Sequence, residues 1–282
     1  MSIRRRMLKA AGRAEILLKD RVVPVVDFIK DKLNEEGGFQ DRAGRSDLYY
    51  TVFGIESLLA LEEEIPKDKI TGYLAKFGQG QSLDLVHLAC LVRCWADISY
   101  PARPGIHSNI ARRIANLLEQ NPTIYKCFLA LCAYQDLSVE TYDKKIFLDS
   151  IASLRTADGG YANQADIKVA ATPSTAAAVT ILHHLNEPVP EQAIDRLFSC
   201  VSPKGGFCVM PEVGPPDLLS TATAIHALFE AGAPLLEIKE QCLDFIDDLW
   251  DPQGGFCASS AEKTTDCEYT YYALLAMGHL SQ

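Results

Sequence analysis

The chain has 282 residues, 48% of them hydrophobic and 23% charged, the mix of a globular protein long enough for one large core. A formal net charge of −10 argues against nucleic acid or an anionic membrane as the main partner. Nine cysteines without a CxxC pair give no disulfide framework, which points to a reducing, cytoplasmic setting, and no apolar run is long enough for a transmembrane segment.

In chain order, residues 1–19 form a basic N-terminal segment and residues 20–282 a single repeat domain. Residues 2–19 read as an amphipathic helix outside the repeat. Its consecutive Arg4, Arg5 and Arg6 suit a solvated helix packed on the ring, or else an acidic partner or lipid. Lys9, Gly12 and Arg13 interrupt its apolar stretch, so it is not a secretory signal.

Paired helices then follow: 22–33 with 48–62, 67–76 with 83–97, 106–119 with 123–135, 143–154 with 174–185, 190–200 with 218–229, and 235–250 with 267–280. Gly37-Gly38-Phe39, Gly159-Gly160-Tyr161, Gly205-Gly206-Phe207 and Gly254-Gly255-Phe256 each lead through a short polar loop to a second helix. The capping residues there are Asp47, Thr172, Asp217 and Asp266. Units repeated at this length build a solenoid or a ring. The second helices are apolar on most faces and rich in small residues, as in Ala176-Ala177-Ala178. The expected fold is therefore all-α, an (α/α)6 toroid with the second helices inside. All inner-helix N-termini then meet at one mouth, where free N–H groups suit an anion such as a diphosphate. A polar mouth above an apolar body fits an isoprenoid diphosphate or another apolar small molecule.

The Gly-Gly-aromatic turn followed by Asp and an aromatic-rich helix resembles the repeat of the protein prenyltransferase β subunit and the squalene and terpene cyclases. That resemblance spans roughly residues 20–280. It implies an α/α toroid, an isoprenoid substrate, a zinc-activated thiol and a helical partner subunit. Glu262-Lys263-Thr264-Thr265-Asp266-Cys267-Glu268-Tyr269 resembles the family's Glu-Lys-x-x-Asp-x-Cys-Tyr phrase. By resemblance Asp266 stands at the zinc aspartate, Lys263 at the diphosphate lysine and Tyr269 at the tyrosine. Glu268 stands at the ligand cysteine, with Cys267 one place early. Asp47-Leu48-Tyr49-Tyr50 resembles the phrase that carries the zinc histidine, with Tyr50 in its place. In the other register the triad falls on Asp217, Leu219 and Tyr269.

The candidates are accordingly Asp266, Glu268 and Cys267 for catalysis. Lys263, Tyr269, Tyr50, Tyr49, Asp47, Asp217, Asp84 and His87 are candidates for substrate binding. Asp266 and Glu268 could hold a divalent cation, magnesium in preference to zinc because the donors are oxygens. An N-cap role serves Asp266 equally, and packing serves Cys267. Asp84 and His87, at i and i+3, could share a ligand. Asp247-Asp248-Leu249-Trp250-Asp251 spells a DDxxD, but at the end of an outer helix, and no DxDD is present. His183 and His184 are expected to face solvent at the opposite rim. The reading is an enzyme of prenyl-transfer type with a degenerate zinc site. A small terpene cyclase or a non-catalytic binding toroid remains the alternative.

Overall fold

The computed structural model describes residues 1–98, 104–120, 122–139, 141–211 and 213–282. The described chain is mostly helical. It begins with α1 (Ile3–Gly12) and α2 (Glu15–Leu18). Then come α3 (Val22–Asp31) and α4 (Leu48–Ala60), α5 (Lys67–Ala75) and α6 (Leu85–Asp97), α7 (Pro104–Gln120) and α8 (Ile124–Asp136). These are followed by α9 (Lys144–Ser153) and α10 (Thr172–His184), α11 (Glu191–Phe198) and α12 (Leu218–Glu230), and α13 (Lys239–Asp247). A hairpin of β1 (Phe256–Ser259) and β2 (Glu262–Asp266) leads into α14 (Cys267–Leu280). No helix among the described residues is long and apolar enough to cross a membrane.

Helices α4, α6, α8, α10, α12 and α14 each pack on the next, and α14 packs back on α4. The remaining partners lie outside them, α3 on α4, α5 on α6, α7 on α8 and α13 on α14. This is an α/α toroid arrangement. Inner helices are buried nearly all round because they touch two neighbours, an outer helix and the lumen; Leu274, Leu275 and Ala276 of α14 are fully buried in succession.

One local device is used four times. The N–H of the aromatic residue in each Gly-Gly turn donates to a threonine one turn into the following inner helix. The pairs are Phe39 to Thr51 Oγ1 at 3.0 Å, Tyr161 to Thr175 at 3.1 Å, Phe207 to Thr221 at 2.9 Å and Phe256 to Thr270 at 3.2 Å. The aromatic rings are buried. The first glycine has positive φ and lies against the backbone of the next outer helix. A Cβ on Gly37 would strike the Lys69 carbonyl of α5, and one on Gly254 would strike the Pro24 carbonyl of α3. The contact that joins successive repeats therefore also joins the last to the first, and this closes the ring.

Boundaries depart from the sequence expectation in instructive places. The segment 2–19 breaks at Arg13–Ala14 into α1 and α2. Thr172 is the first residue of α10 rather than its cap, and its hydroxyl donates to the Cys208 carbonyl at 2.6 Å. The polar loop before Asp266 is the β1–β2 hairpin, with Phe256 paired to Asp266 as Phe207 is to Asp217. The outer helix expected over 235–250 is confined to α13.

The largest correction concerns α1. It is not a solvated helix on the outside of the ring. It lies across the C-terminal ends of the inner helices and forms a floor. Its Ile3 N–H donates to Gln135 Oε1 at 2.9 Å, and Arg4, only 6% exposed, pairs with Asp97 and, at 2.8 Å, with Asp136. Arg6 pairs with Glu230 at 2.7 Å. Glycines allow the close approach, since a Cβ on Gly278 of α14 would strike the Ala10 carbonyl. The basic helix also answers the partial negative charge of the helix C-termini it covers.

Candidate functional site

Asp47, Asp84, Thr123, Asp217 and Asp266 cap α4, α6, α8, α12 and α14, each accepting from backbone N–H groups of the first turn. Each cap contributes about 1 kcal/mol to its helix. It also places a carboxylate or hydroxyl at the mouth of the toroid. Two spaces lie at this end of the inner helices. A rim basin of about 460 Å³ is lined by Asp41, Arg42, Asp47, Tyr49, Tyr50 and His87. A central cavity of about 490 Å³ runs on down to Met7 of the floor, and Tyr49 borders both. Aromatic rings form much of its wall: Tyr49, Phe53, Tyr125, Phe128 and Tyr272. Tyr49 and Phe53 meet edge to face at 4.9 Å, and Phe53 and Tyr272 lie 5.5 Å apart.

Tyr49, which lines both spaces, joins a cluster of charged and aromatic groups at the rim. Tyr49 donates its hydroxyl to Glu268 Oε1 at 2.6 Å. Burial pushes the Glu268 carboxyl up to about 7; Asp266 adds to this, while Tyr49 and Arg42 oppose it. Burial also raises Asp266, against the pull of the Tyr269 N–H and of Arg42. Arg42 Nε lies 2.8 Å from Asp266 Oδ2, its other arm pairs with Glu262, and the guanidinium sits 5.4 Å over the Tyr269 ring. Burial raises Tyr50 and Tyr269 each to about 12, so both are neutral donors at neutral pH.

The folded chain thus brings Asp266, Glu268, Tyr49, Tyr50 and Tyr269 together. On the far side of the basin His87 Nδ1 lies 2.8 Å from Asp84 and its Nε2 4.0 Å from Asp47. Asp217, on the neighbouring α12, adds its charge to those that raise Tyr269. It is half-buried, its carboxyl is raised by burial, and it accepts from the backbone N–H and hydroxyl of Ser220. Lys263 is exposed on β2. Cys267 is the clear departure from the candidate set. It is fully buried, and burial pushes its thiol far above the ordinary cysteine range, so it is packing rather than a thiolate nucleophile or ligand. The DDxxD closes α13 at the periphery, where Asp247 pairs with Arg21. His183 and His184 are half-buried rather than solvent-facing, and His184 contacts Gln135 at 2.5 Å.

The donor set does not fit a protein-held divalent cation. Asp266 has one oxygen on Arg42 and the other on the Tyr269 N–H, and Glu268 Oε1 accepts from the Tyr49 hydroxyl. Among the described residues no three His, Cys, Asp or Glu side chains are grouped to hold a metal. A cation here would have to displace Arg42 from a buried carboxylate.

Sequence reasoning missed Arg42, Tyr125 and the buried pair of Arg93 with Glu56 that backs the cavity wall. Arg42 meets its carboxylates more than 200 positions away, at Glu262 and Asp266, so no local spacing could reveal it. A signal for the turn device was present, because a threonine stands four residues after Asp47, Asp217 and Asp266 and three after Thr172, the expected cap of the other Gly-Gly repeat.

The family model for the prenyltransferase alpha-alpha toroid domain matches residues 23–92, 105–196 and 175–282. No curated protein matches the chain. The family match covers most of the sequence, and the chain belongs to the prenyltransferase alpha-alpha toroid family.

Proposed function

We propose that this toroid family member has a complete six-pair ring and acts on an isoprenoid diphosphate. The chain would lie in the central cavity and the diphosphate at the rim. The observation that carries this reading is the aromatic-walled cavity of about 490 Å³ opening at the inner-helix N-termini. Arg42 is the cation best placed for the head group. Its partner Glu262 is half-exposed, and such a pair is worth about 1 kcal/mol or less, so a phosphate can replace it. The helix N-termini add partial positive charge and N–H donors, with Lys263 on the adjoining strand. The faces of Phe53, Tyr49 and Tyr272 favour the allylic cation that forms as the diphosphate leaves.

Glu268 gives the cyclase alternative specific support. Burial raises the Glu268 carboxyl to about 7, and Tyr49 of the cavity wall donates to it, so a proton could be given up or taken through Tyr49 at the near end of a bound chain. Zinc-activated thiol chemistry receives no such support, because the ligand triad is not assembled from these residues.

Calorimetry with farnesyl diphosphate and farnesol, followed by product analysis with and without magnesium, tests the reading. Binding of the diphosphate at least about tenfold tighter than the alcohol is expected, a difference of about 1.4 kcal/mol. Equal affinities would remove the head-group assignment. Failure of any isoprenoid to bind or to raise the melting temperature at large excess would remove the function as a whole.

A further inference from the structure

A cation lines the central cavity. Arg93 of α6 gives Nε and Nη2 to the buried carboxylate of Glu56 on α4. Its side chain keeps 12% of its surface. Nη1 makes no hydrogen bond among the described residues, yet it is not sealed in the interior. On α14, which packs on the other side of α4, the hydroxyl of Tyr272 is likewise unbonded and, unlike that of Tyr271, unsealed. Replacing a buried ion pair by packed apolar residues is often stabilising, so packing alone does not account for a guanidinium open to an aromatic-walled cavity.

Both open groups are donors. Arg93 stands roughly 12 Å along α6 from its N-terminus, and helix side chains lean back toward that end. It is close enough to Tyr272 for its charge to act on the hydroxyl. Burial above all, then Glu268, holds that hydroxyl well above the usual tyrosine range, so it keeps its proton and donates. A carbonyl oxygen has two lone pairs and no proton of its own, so it accepts from both groups. A hydrocarbon accepts from neither. A carboxylate meets a different obstacle. Glu56, Asp97 and Asp136 already set three buried carboxyl groups against the two guanidinium groups of Arg93 and Arg4. A further negative charge would add to that excess, and a neutral oxygen does not.

We propose that Arg93 and Tyr272 form a carbonyl-recognition site in the wall of the central cavity, and that the ligand is an isoprenoid with a neutral carbonyl oxygen in its apolar part. The apolar part of this ligand rests on the isoprenoid reading of the cavity. The carbonyl is carried by the two open donors.

The test is calorimetry of the full chain with isosteric probes: geranylacetone, the hydrocarbon in which its carbonyl is a methylene, and geranylacetic acid, in which a carboxylate replaces the methyl ketone. Farnesyl diphosphate is titrated in parallel. Geranylacetone should bind about tenfold tighter than the hydrocarbon or the acid, and its carbonyl stretch should move to lower wavenumber on binding. Tyr272→Phe keeps the ring and removes one donor. It should reduce the preference over the hydrocarbon about threefold and reverse part of the infrared shift. The double variant Glu56→Met with Arg93→Met removes the pair without stranding a charge and should abolish the preference. If that variant fails to fold, Tyr272→Phe carries the test. A preference unchanged in Tyr272→Phe would overturn the site. So would equal binding of ketone and hydrocarbon, or tightest binding of the acid; with farnesyl diphosphate still bound, the isoprenoid reading would remain in place. Binding of none of these ligands would overturn both.

Discussion

The two ends of the toroid solve the same electrostatic problem in different ways. At the mouth, helix N-termini are satisfied by carboxylates of their own caps, and Arg42 then spans from the first repeat to Asp266 and Glu262 of the last. At the floor, helix C-termini are covered by a separate basic helix whose Arg4 is locked between Asp97 and Asp136. At the mouth Arg42 and Glu262 are half-exposed and only Asp266 of the trio is buried, while at the floor Arg4, Asp97 and Asp136 are all buried. The same side-chain chemistry therefore gives a readily exchanged pair, Arg42 with Glu262, at one end and a locked one, Arg4 with Asp97 and Asp136, at the other, with burial as the deciding variable.

Removing one cation from each end should give the largest contrast. Arg4→Ala strands two buried carboxylates, and a loss of about 3–5 kcal/mol in urea-induced unfolding is expected. If Arg4→Ala costs less than 1 kcal/mol, the floor is not the locked end.

A milder break of the floor comes from Gly278→Ala. The added methyl meets the Ala10 carbonyl, so α1 must shift, at a cost of about 1–3 kcal/mol. Protease sensitivity within residues 1–19 should rise with it. Unchanged cleavage there would mean that α1 is not held by this close approach.

The two ends should also titrate in opposite senses. Glu268 is raised to about 7 in the folded chain, so between about 4.3, the ordinary glutamate value, and 7 the folded state binds more protons than the unfolded one. Its contribution to stability falls as pH rises through that window. Glu268→Gln should gain on the order of 2 kcal/mol over wild type between pH 4.5 and pH 8. His279 is lowered to about 4, so its contribution is present above about 6.5 and is lost as pH falls toward 4. Denaturation midpoints of Glu268→Gln and His279→Asn across pH, each subtracted from wild type, should slope in opposite directions. Parallel slopes would refute the contrast.

The smallest expected stability effect is at the mouth. Arg42→Met loses a half-exposed pair with Glu262 and one buried partner, Asp266, which keeps the Tyr269 N–H. A cost of about 1 kcal/mol is expected, together with a drop of about tenfold in affinity for a prenyl diphosphate. Unaltered diphosphate affinity would remove Arg42 from the head-group site.

How much was legible depended on the sequence distance over which each feature is made. The Gly-Gly turns, the aspartate caps and the apolar inner helices are local, and periodicity showed them without any fold. Asp84 with His87 was legible for the same reason, one helical turn apart. Cys267 looked reactive because a helix N-terminus lowers a thiol's pKa; complete burial acts in the opposite direction and wins.

The sequence by itself determined the repeating unit, the helical class and the end of the ring at which the carboxylates gather, because turns, caps and helical stripes are set by residues a few positions apart. Only the tertiary structure decided what those carboxylates face. Ring closure brings Arg42 to Asp266 and Tyr49 to Glu268, α1 folds under the inner helices, and two helices bring His226 against His279. Desolvation and charge pairing act through space. Along the chain these partners are tens to hundreds of residues apart, and no sequence period connects them.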